Sequence, residues 1–345
     1  MTQVALASYG MSGKVFHAPL ITTHPGFHLS KVLERHRNDA KADYPDINTV
    51  RQFDDLLNDE EIDIIVVNTP NAYHFDMTKA ALEAGKHVVV EKPFTNTVAE
   101  AEELINIANQ QNLLLTAFQN RRLDSDFLTV QKVLDQQLCG RVVEYEAHYD
   151  RYRNYIQPDT WKEDSGPGSG ILYNLGSHMI DQALVLFGMP QTIFAKLSIQ
   201  RAGGKAPDAY HLILGYPDKQ VVLKSSYLVR DEGPRYKILG DLGTFTKYGL
   251  DPQEDDLKVG KTPNSGHWGI EPETIWGILD TELYGLPFRG KVTSEAGNYL
   301  AFYDNLAQAI SGKSKLLVSP EEAKQVIQLI ELAYQSHESG QELKV

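Results

Sequence analysis

The stretch GKHVVVEKPF, Gly85 to Phe94, predicts the fold of this chain. Its three consecutive valines cannot alternate between two faces, so they favour a strand buried on both sides, as in a parallel sheet. Glu91, Lys92 and Pro93 then lie at the carboxyl end of that strand, where open α/β sheets bind ligands, and Pro93 restricts the backbone after the lysine. This stretch alone leaves two interpretations of Lys92 open: a side chain held at a ligand crevice, or an ordinary surface lysine.

Composition bounds the class of protein. A chain of 345 residues suits two domains, and 42% hydrophobic with 23% charged residues excludes disordered and fibrous classes. The formal net charge of −13 argues against a nucleic-acid or anionic-membrane partner. The lone cysteine, Cys139, excludes an internal disulfide and a cysteine-based metal site. Without a charged leader or a membrane-length apolar run, we expect a soluble cytoplasmic protein with no metal site.

Apolar runs alternate with helical patterns as far as residue 118. This alternation predicts a doubly wound parallel sheet in a first domain, residues 1–120. Thr97 and Glu100 have capping-box spacing at the start of one helix. The predicted strands are Val4–Ser8, Phe27–Leu33, Ile62–Val67, the valine strand and Leu113–Ala117, and the helices start near Lys14 or span Tyr73–Ala84 and Val98–Gln111.

The pattern changes after Arg122. Consecutive strands with short turns predict a largely antiparallel sheet in a second, α+β domain, residues 121–345. We predict Asp251–Lys291, rich in Gly and Pro, to be a loop with short helices. The strands are Val142–Tyr152, Thr192–Gln200, Tyr210–Gly215, Val221–Val229, Tyr236–Leu239 and Thr244–Tyr248, and the helices are Ser125–Gln137, Leu172–Phe187, Tyr299–Ser311 and Glu321–His337, the last two possibly packing back on the first domain.

A glycine-containing turn, SYGMSG, separates the first strand from the first helix. Gly10 and Gly13 match the second and third glycines of the dinucleotide fingerprint, and Ser8 stands where the first belongs. A serine there costs about 1 kcal/mol if the turn needs an unusual backbone angle. Because the turn lies inside a βαβ series, we favour a cofactor site that includes Met11 and Ser12 over a plain strand-to-helix turn.

The end of the second strand carries an acidic residue followed by basic ones. Glu34 lies where an acidic residue grips the adenosine ribose of NAD, but Arg35, His36 and Arg37 follow it. Glu34 would repel a 2′-phosphate, whereas Arg35 or Arg37 could bind one. The sequence therefore leaves NAD and NADP open, and a solvated charge run also fits.

Several motifs together resemble the Gfo/Idh/MocA oxidoreductases over essentially the whole chain. The resemblance implies an N-terminal Rossmann domain, a C-terminal α+β domain whose open sheet often forms an oligomer interface, and redox chemistry on sugars or polyols. A homodimer or homotetramer is therefore expected. The motifs are VVNTPNAYHFD (66–76), ALEAGKHVVVEKPF (81–94) and LGSHMIDQ (175–182), with FHAPL (16–20), FQNRR (118–122), GPGSGILYNLGSHMIDQAL (166–184) and KYGLDPQED (247–255) similar to the branch with NADP-dependent scyllo-inositol dehydrogenases.

The resemblance also implies site residues. Glu91 and Lys92 would lie beside the reacting centre, and His178 and Asp181, three residues apart, would share one helix face. The residues implied at the nicotinamide end of the cofactor are Thr69, Pro70, Asn71 and His74, with Asn120 and Arg121 near the domain junction.

Oxidation of a secondary alcohol needs a base and a charge-stabilising donor at one oxygen while hydride leaves its carbon. Lys92 suits the donor because free lysine titrates near ~10.4, and His178 suits proton transfer because imidazole titrates near ~6.5. Asp181 could orient either one. Without the EKP context, purely structural roles for His178 and Asp181 would be preferred.

Two positions depart from the family. Where many relatives have a histidine four residues after this aspartate, this chain has Val185, and Asn174 stands where relatives often have an aspartate. In order of preference, His178 or a tyrosine transfers the proton, catalysis is weak, or the substrate differs. The candidate substrate contacts, suited to a polyhydroxylated ring but also typical of a half-exposed strand, are Tyr149, Arg151, Tyr152, Trp161 and Asn174.

The leading hypothesis is an NAD(P)-dependent dehydrogenase or reductase of a cyclic polyol or sugar. One alternative is a catalytically weak or inactive protein that senses a dinucleotide or sugar on the same fold, because fold does not fix function. A redox enzyme for a non-sugar substrate is the third hypothesis, and an apolar site lining would favour it.

Overall fold

A computed structural model describes residues 1–157, 163–166 and 168–345. Trp161, a predicted substrate contact, lies outside the described residues. The chain forms two compact units, each built from separate stretches of sequence. The first unit contains residues 1–120, 253–268 and 298–324, and the second contains residues 121–252, 269–297 and 325–345.

The first unit contains a parallel sheet of six strands among the described residues, in the order β3-β2-β1-β4-β5-β6. The predicted doubly wound sheet is confirmed. Its elements in chain order are β1 (Thr2–Leu6), a π-helical turn (Gly13–His17), α1 (Ala18–Thr23), β2 (Phe27–Leu33), α2 (Asp39–Asp43), β3 (Asn48–Val50), α3 (Asp54–Leu57), β4 (Ile64–Val67), a 3-10 turn (Asn71–Tyr73), α4 (His74–Glu83), β5 (His87–Val90), α5 (Val98–Gln111), β6 (Leu115–Ala117) and a 3-10 turn (Asn120–Leu123).

Local sequence explains the best-predicted elements of this unit. The valines of β5 are buried between β4 and β6, as a strand covered on both faces requires. Thr97 caps α5 in a complete capping box with Glu100, and Asn112 ends the helix with a left-handed φ of 55°. The elements α2, β3 and α3 were not predicted, because they are too short to show a period.

The remaining elements build most of the second unit and return twice to the first. They are α6 (Ser125–Asp135), β7 (Val142–His148), a π-helical turn (Leu172–Gly176), α7 (Ser177–Phe187), β8 (Thr192–Ser198), β9 (Ala209–Gly215), β10 (Gln220–Ser226), β11 (Tyr236–Gly240), β12 (Gly243–Lys247), α8 (Gln253–Lys258), a 3-10 turn (Glu273–Ile275), β13 (Gly277–Leu283), β14 (Leu286–Val292), α9 (Leu300–Ile310), α10 (Pro320–Ser339) and β15 (Leu343–Lys344).

The second sheet is mixed. In the described parts of the chain its order is β14-β13-β12-β11-β7-β10-β9-β8-β15, and β7 with β10 is its parallel pair. The mainly antiparallel prediction is confirmed. None of the helices in the described ranges is both long enough and apolar enough to cross a membrane.

Two predicted elements were wrong in part. The prediction of a loop with short helices is confirmed for the first part of Asp251–Lys291, which contains α8 and a 3-10 turn, but wrong for the rest, which contains β13 and most of β14, paired as an antiparallel hairpin. Residues of β14 are mostly exposed, so the strand has no apolar alternation that could reveal it. The strand predicted to reach Tyr152 ends at His148, and Tyr152 makes an isolated bridge with Leu228.

Candidate active site

The glycine-containing turn after β1 is fixed by Asn68, which follows β4. Asn68 Oδ1 accepts from the Ser8 backbone N–H at 3.0 Å, and Asn68 Nδ2 donates to the Ser8 carbonyl at 2.9 Å. The Ser8 hydroxyl donates to the Asn68 carbonyl at 2.8 Å. Ser8 does not adopt a left-handed backbone, so the cost considered for a serine at this position does not arise. The serine instead joins the carboxyl ends of two adjacent strands.

The two glycines have different roles. A Cβ at Gly13 would lie 2.5 Å from the Ser8 carbonyl oxygen and 2.7 Å from Asn68 Nδ2, so only glycine lets the helix start this close to the sheet. At Gly10 the nearest atom to such a Cβ would be Ser8 Oγ at 3.9 Å, so the space beside the turn is open. This pattern fits a dinucleotide, since one glycine allows close packing and the other allows a pyrophosphate to approach the backbone. Met11 is exposed, and the Ser12 hydroxyl donates to the Asn68 carbonyl at 3.4 Å.

The loop after β2 is held by its own acidic residue. Glu34 is buried, and its two carboxylate oxygens accept the backbone N–H groups of Asp39 and Ala40 at 3.0 and 3.1 Å. The Arg51 guanidinium donates to the carbonyl oxygens of Glu34 and Arg37 and to the Asn38 side chain. The backbone of this loop is therefore held both by the Glu34 carboxylate and by the Arg51 guanidinium.

The basic residues of that loop point outward. Arg35 and His36 are exposed, and Arg37 has 80% of its side chain exposed, with a guanidinium nitrogen 3.7 Å from an Asp39 carboxylate oxygen. An exposed ion pair at this distance is weak. The acidic side chain at the end of β2 thus holds the loop while the guanidinium groups face solvent.

His74 joins the loops that follow β4 and β5. Its ring is buried, with Nδ1 2.8 Å from the Pro93 carbonyl oxygen and Nε2 2.9 Å from the Thr69 carbonyl oxygen. Burial lowers the pKa of His74, although both carbonyl oxygens act in the opposite direction. Asn71 is also buried, and its carbonyl accepts from the Asn96 side chain at 3.4 Å. His74 therefore fixes the backbone beside Pro70 and Lys92.

A buried network surrounds Glu91 at the end of β5. Glu91 Oε1 lies 3.1 Å from His17 Nε2, and Glu91 Oε2 accepts the Lys92 backbone N–H at 3.1 Å. The other ring nitrogen of His17 lies 2.7 Å from the Tyr303 hydroxyl oxygen. Lys92 is half-buried, and the Lys92–Pro93 peptide bond is cis.

The charge state of Glu91 follows from these neighbours. Burial acts to raise its pKa, but the hydrogen bond from His17 and the charges of His17, Lys92 and His74 outweigh burial, so the pKa is lowered. Glu91 is therefore a carboxylate at neutral pH.

In the second unit, His178 and Asp181 both lie buried on α7. Asp181 accepts two hydrogen bonds from Arg122, from Nε at 2.8 Å and from Nη2 at 2.7 Å. The next residue, Gln182, donates to the Arg121 carbonyl at 2.8 Å and accepts from the Tyr236 hydroxyl at 2.9 Å. These contacts fix the orientation of the helix that carries His178.

The predicted substrate contacts lie among aromatic rings and guanidinium groups. Tyr149 is buried, and the guanidinium carbons of Arg121, Arg151 and Arg235 lie 5.2, 5.1 and 4.4 Å from its ring centroid. Tyr152 is exposed, and its hydroxyl accepts from Arg230 at 2.7 Å. These rings carry cations on their faces, as cation–π contacts favour.

Three further positions complete the site residues. Asn174 lies in the π-helical turn before α7 and donates to the Tyr227 hydroxyl at 3.3 Å. Asn120 is buried at the end of the first unit's continuous stretch. Val185, which stands where many relatives have a histidine, is half-buried and lines a surface groove with Arg141 and Asp218. Among the described residues, no group of His, Cys, Asp and Glu side chains is arranged to hold a metal ion.

Several residues that organise these sites had no predicted role. Asn68, His17 and Tyr303 fix the ends of strands in the first unit, and Arg122 fixes α7 in the second. His17, Asn68 and Arg122 belong to the FHAPL, VVNTPNAYHFD and FQNRR motifs, which were the available signals. Tyr303 carries no local signal, because its partner His17 is distant in sequence.

Comparisons with known proteins cover the whole chain. A family model described as "Oxidoreductase family, NAD-binding Rossmann fold" matches residues 2–119, and one described as "Oxidoreductase family, C-terminal alpha/beta domain" matches residues 131–345. The chain is 41% identical over 334 residues to the uncharacterized oxidoreductase YdgJ of Escherichia coli (strain K12), covering 97% of this chain and 96% of that one.

A second relative has a named activity. The chain is 38% identical over 334 residues to scyllo-inositol 2-dehydrogenase (NADP(+)) IolW of Bacillus subtilis (strain 168), covering 97% of this chain and 93% of that one. A crystal structure of an oxidoreductase from Bacteroides fragilis superposes with a TM-score of 0.93 at 45% identity, with all of both chains covered.

Proposed function

This chain belongs to the Gfo/Idh/MocA family of oxidoreductases, and we propose that it transfers hydride between a nicotinamide cofactor and a secondary alcohol of a cyclic polyol or sugar. The observation that carries this proposal is the placement of Lys92 at the carboxyl end of β5, beside a Glu91 carboxylate held by two hydrogen bonds. The named activity of the scyllo-inositol 2-dehydrogenase relative supports the substrate class.

The proposed roles follow from the chemistry of alcohol oxidation. When bound, the nicotinamide ring supplies the hydride acceptor or donor. Lys92, as an ammonium, stabilises negative charge that develops on the alcohol oxygen. His178 exchanges the hydroxyl proton, because imidazole titrates closer to neutral pH than an amine. Asp181 acts through Arg122, which orients α7 and with it His178.

The second unit supplies the polar contacts that a polyol needs. We assign Arg151 and Asn174 as donors to substrate hydroxyl groups, and Tyr149 as the buried ring that supports Arg151. Tyr152 and Trp161 remain proposed contacts. Guanidinium and amide donors favour a substrate with several hydroxyl groups over an apolar one, because unpaired buried donors are costly.

We further infer that NADP is preferred to NAD. The Glu34 carboxylate is occupied by two backbone N–H groups of its own loop, so it is not turned toward a ribose. A 2′-phosphate would then meet the exposed guanidinium groups of Arg35 and Arg37, which bind phosphate well. The remaining proposed cofactor contacts lie in the glycine-containing turn (Ser8–Gly13), in Thr69–Asn71 and at Asn120.

The cofactor preference is tested without turnover. The dissociation constants of 2′,5′-ADP and 5′-AMP are measured by calorimetry at one ionic strength, since these fragments differ only in the 2′-phosphate. We expect at least about tenfold tighter binding of 2′,5′-ADP, corresponding to one charge-assisted hydrogen bond. Equal affinities would contradict the preference for NADP.

The catalytic proposal is tested by a substrate screen followed by a double-mutant cycle. The screen follows reduced nicotinamide with inositols and aldoses, using both cofactors. On the best substrate, we expect Lys92→Ala and His178→Ala each to lower kcat/KM by about 10²-fold or more. If the two side chains act on one hydroxyl, kcat/KM of the double variant should be only slightly lower than that of the less active single variant. Losses that multiply would contradict a shared hydroxyl, and Lys313→Ala, at an exposed lysine, is the control.

The same screen separates the alternative hypothesis. Tight dinucleotide binding without turnover of any polyol, sugar or related alcohol would favour a sensing protein.

We also propose a cytoplasmic homodimer or homotetramer that associates through the open face of the large sheet. In that sheet, Glu146, His148 and Lys224 form one hydrogen-bonded cluster. Light scattering on the purified protein gives the oligomer size.

A further inference from the structure

The last residue of α2 contacts the glycine-containing turn. Asp43 Oδ2 accepts the Tyr9 hydroxyl at 3.0 Å and lies 2.8 Å from Lys14 Nζ. Tyr9 is the second residue of the SYGMSG turn, and Lys14 directly follows the last glycine of that turn. One carboxylate oxygen therefore ties the turn after β1 to the segment that follows β2.

The two contacts of Asp43 differ in strength. Lys14 has 55% and Asp43 has 36% of the side chain exposed, so solvent screens their ion pair. Tyr9 is buried, and burial together with the hydrogen bond to Asp43 raises the pKa of the phenol, so its hydroxyl keeps its proton and donates. The hydrogen bond from Lys14 lowers the pKa of Asp43 more than burial raises it, so the acceptor is a carboxylate at neutral pH. The hydrogen bond from Tyr9 is thus the stronger of the two contacts.

The start of α2 is tied to the loop that carries the two arginines. The Glu34 carboxylate accepts the backbone N–H groups of the first two residues of the helix at 3.0 and 3.1 Å. Arg35 and Arg37 lie between Glu34 and the helix in the chain. The loop and α2 therefore form one segment, residues 34–43, and Asp43 is the residue through which the end of that segment is attached to the turn.

The turn does not depend on Asp43 for its own shape. Three hydrogen bonds between Ser8 and Asn68 attach the turn to the end of β4. The helix α2, in contrast, has five residues, which is too few for a helix to be stable without contacts to the rest of the protein. Loss of the hydrogen bond between Tyr9 and Asp43 should therefore loosen α2 and the arginine loop more than the turn.

We propose that Tyr9 and Asp43 are positioning residues that set the preference for NADP, because they hold in place the loop from which Arg35 and Arg37 reach the 2′-phosphate. This inference rests on the proposed function, in which those two guanidinium groups bind that phosphate. In a Rossmann fold the pyrophosphate binds at the glycine-containing turn and the adenosine ribose at the end of β2. The contact at Asp43 thus links the parts of the chain that bind the two ends of one half of the cofactor.

Tyr9→Phe tests the proposal because it removes a hydroxyl group and no charge. We measure the dissociation constants of 5′-AMP and 2′,5′-ADP by calorimetry on the full-length protein. The preference for 2′,5′-ADP, expressed as the ratio of the two constants, should fall by about 3- to 10-fold, as loss of one hydrogen bond predicts. Tyr216→Phe is the matched control, because it removes a hydroxyl that donates to the Gly188 carbonyl at 2.8 Å in the second unit. Its ratio should equal that of the original protein.

The same substitution is repeated in Asp43→Ala protein. If Tyr9 acts through Asp43, Tyr9→Phe should leave the ratio unchanged in this background. The absolute affinities of Asp43→Ala also reflect a lost negative charge, so only the further effect of Tyr9→Phe is compared. A further fall in the ratio as large as that in the original protein would contradict a role through Asp43.

A second measurement needs no ligand. Hydrogen–deuterium exchange of the Tyr44 N–H, which donates to the Ala40 carbonyl at 2.8 Å, should be faster in Tyr9→Phe by about 3- to 10-fold, because amide exchange reports local opening of α2. Unchanged exchange in both Tyr9→Phe and Asp43→Ala would overturn the proposal, and so would faster exchange with an unchanged ratio of dissociation constants.

Failure of the proposed NADP preference gives a different result. The original protein would then bind 2′,5′-ADP and 5′-AMP equally well, which would remove the role in specificity. Amide exchange would still show whether the contact between Tyr9 and Asp43 holds α2.

Discussion

Two loops of the parallel sheet carry an acid followed by a base, Glu34–Arg35 after β2 and Glu91–Lys92 after β5. In both loops the acid turns back and accepts two hydrogen bonds. Glu34 accepts both from backbone N–H groups of its own loop, whereas Glu91 accepts one from the Lys92 backbone and one from the buried imidazole of His17. The partners of Glu34 lie five and six positions along the chain, whereas His17 lies 74 positions from Glu91. The carboxylate of the first loop is therefore held by the backbone of its own loop, and that of the second is held in part by a side chain from a distant element.

The largest expected effect is on kcat/KM, and it distinguishes Lys92 from Arg35. We predict that Lys92→Ala lowers kcat/KM by about 10²- to 10³-fold, as removal of one donor to a developing oxyanion does. Binding of 2′,5′-ADP should not change, because Lys92 lies at another strand end. Calorimetry and steady-state kinetics on the same preparation measure both quantities. A variant with weakened 2′,5′-ADP binding and normal turnover would break the comparison.

Arg35→Ala should give the reverse result with a smaller loss. Its affinity for 2′,5′-ADP should fall about 10- to 100-fold, corresponding to charge-assisted hydrogen bonds, whereas its affinity for 5′-AMP should stay the same. Lys41→Ala, at an exposed residue of α2, is the matched control for a lost positive charge. An equal loss for both ligands would show that Arg35 does not meet the 2′-phosphate.

Glu34→Ala tests which partner the acid serves. If Glu34 faced the ribose, its removal would strengthen 2′,5′-ADP binding by relieving repulsion. Because the structure uses both oxygens to hold the loop, we predict no gain in affinity. Removing the Glu34 side chain should instead lower the free energy of unfolding by about 1–2 kcal/mol, as loss of a helix cap does. Thermal unfolding and calorimetry measure the two outcomes, and tighter binding would assign Glu34 to the ribose.

The smallest expected effect is a change in how the melting temperature depends on pH when Glu91 is replaced. The pKa of Glu91 is lowered in the folded protein, so its contribution to stability is full above the unfolded pKa of about 4.3 and is lost as pH falls through the folded value. Glu91→Gln lacks this contribution. The difference in melting temperature between the original protein and the variant should therefore narrow as pH falls below about 4.3. A difference that stays constant across this range would show that Glu91 is not stabilised as an anion.

Elements set by local chemistry could be predicted from the sequence. The valines of β5 and the capping box of Thr97 and Glu100 need only neighbouring residues, and both are found where expected. The hairpin of β13 and β14 could not be predicted, since exposed strand residues follow no hydrophobic period.

The candidate site shows the same limit at the level of side chains. Sequence placed Glu34 and Glu91 at strand ends but could not say what their carboxylates contact. The answer depends on loop closure by Arg51 in one case and on Tyr303, 286 positions from His17, in the other. Asp181 likewise pairs with Arg122 at a separation of 59 residues. Contacts between distant residues leave no spacing pattern within one sequence.

The return of α9 to the first unit has a consequence for biosynthesis. Tyr303 and Phe302 pack against Phe118 and complete an aromatic wall around His17. While the ribosome is still translating the large sheet, this wall is incomplete, and Phe118 lacks two of its ring neighbours. A nascent chain thus acquires its finished Rossmann core late in translation, and a fragment cut after residue 120 would leave these rings exposed to chaperones and proteases.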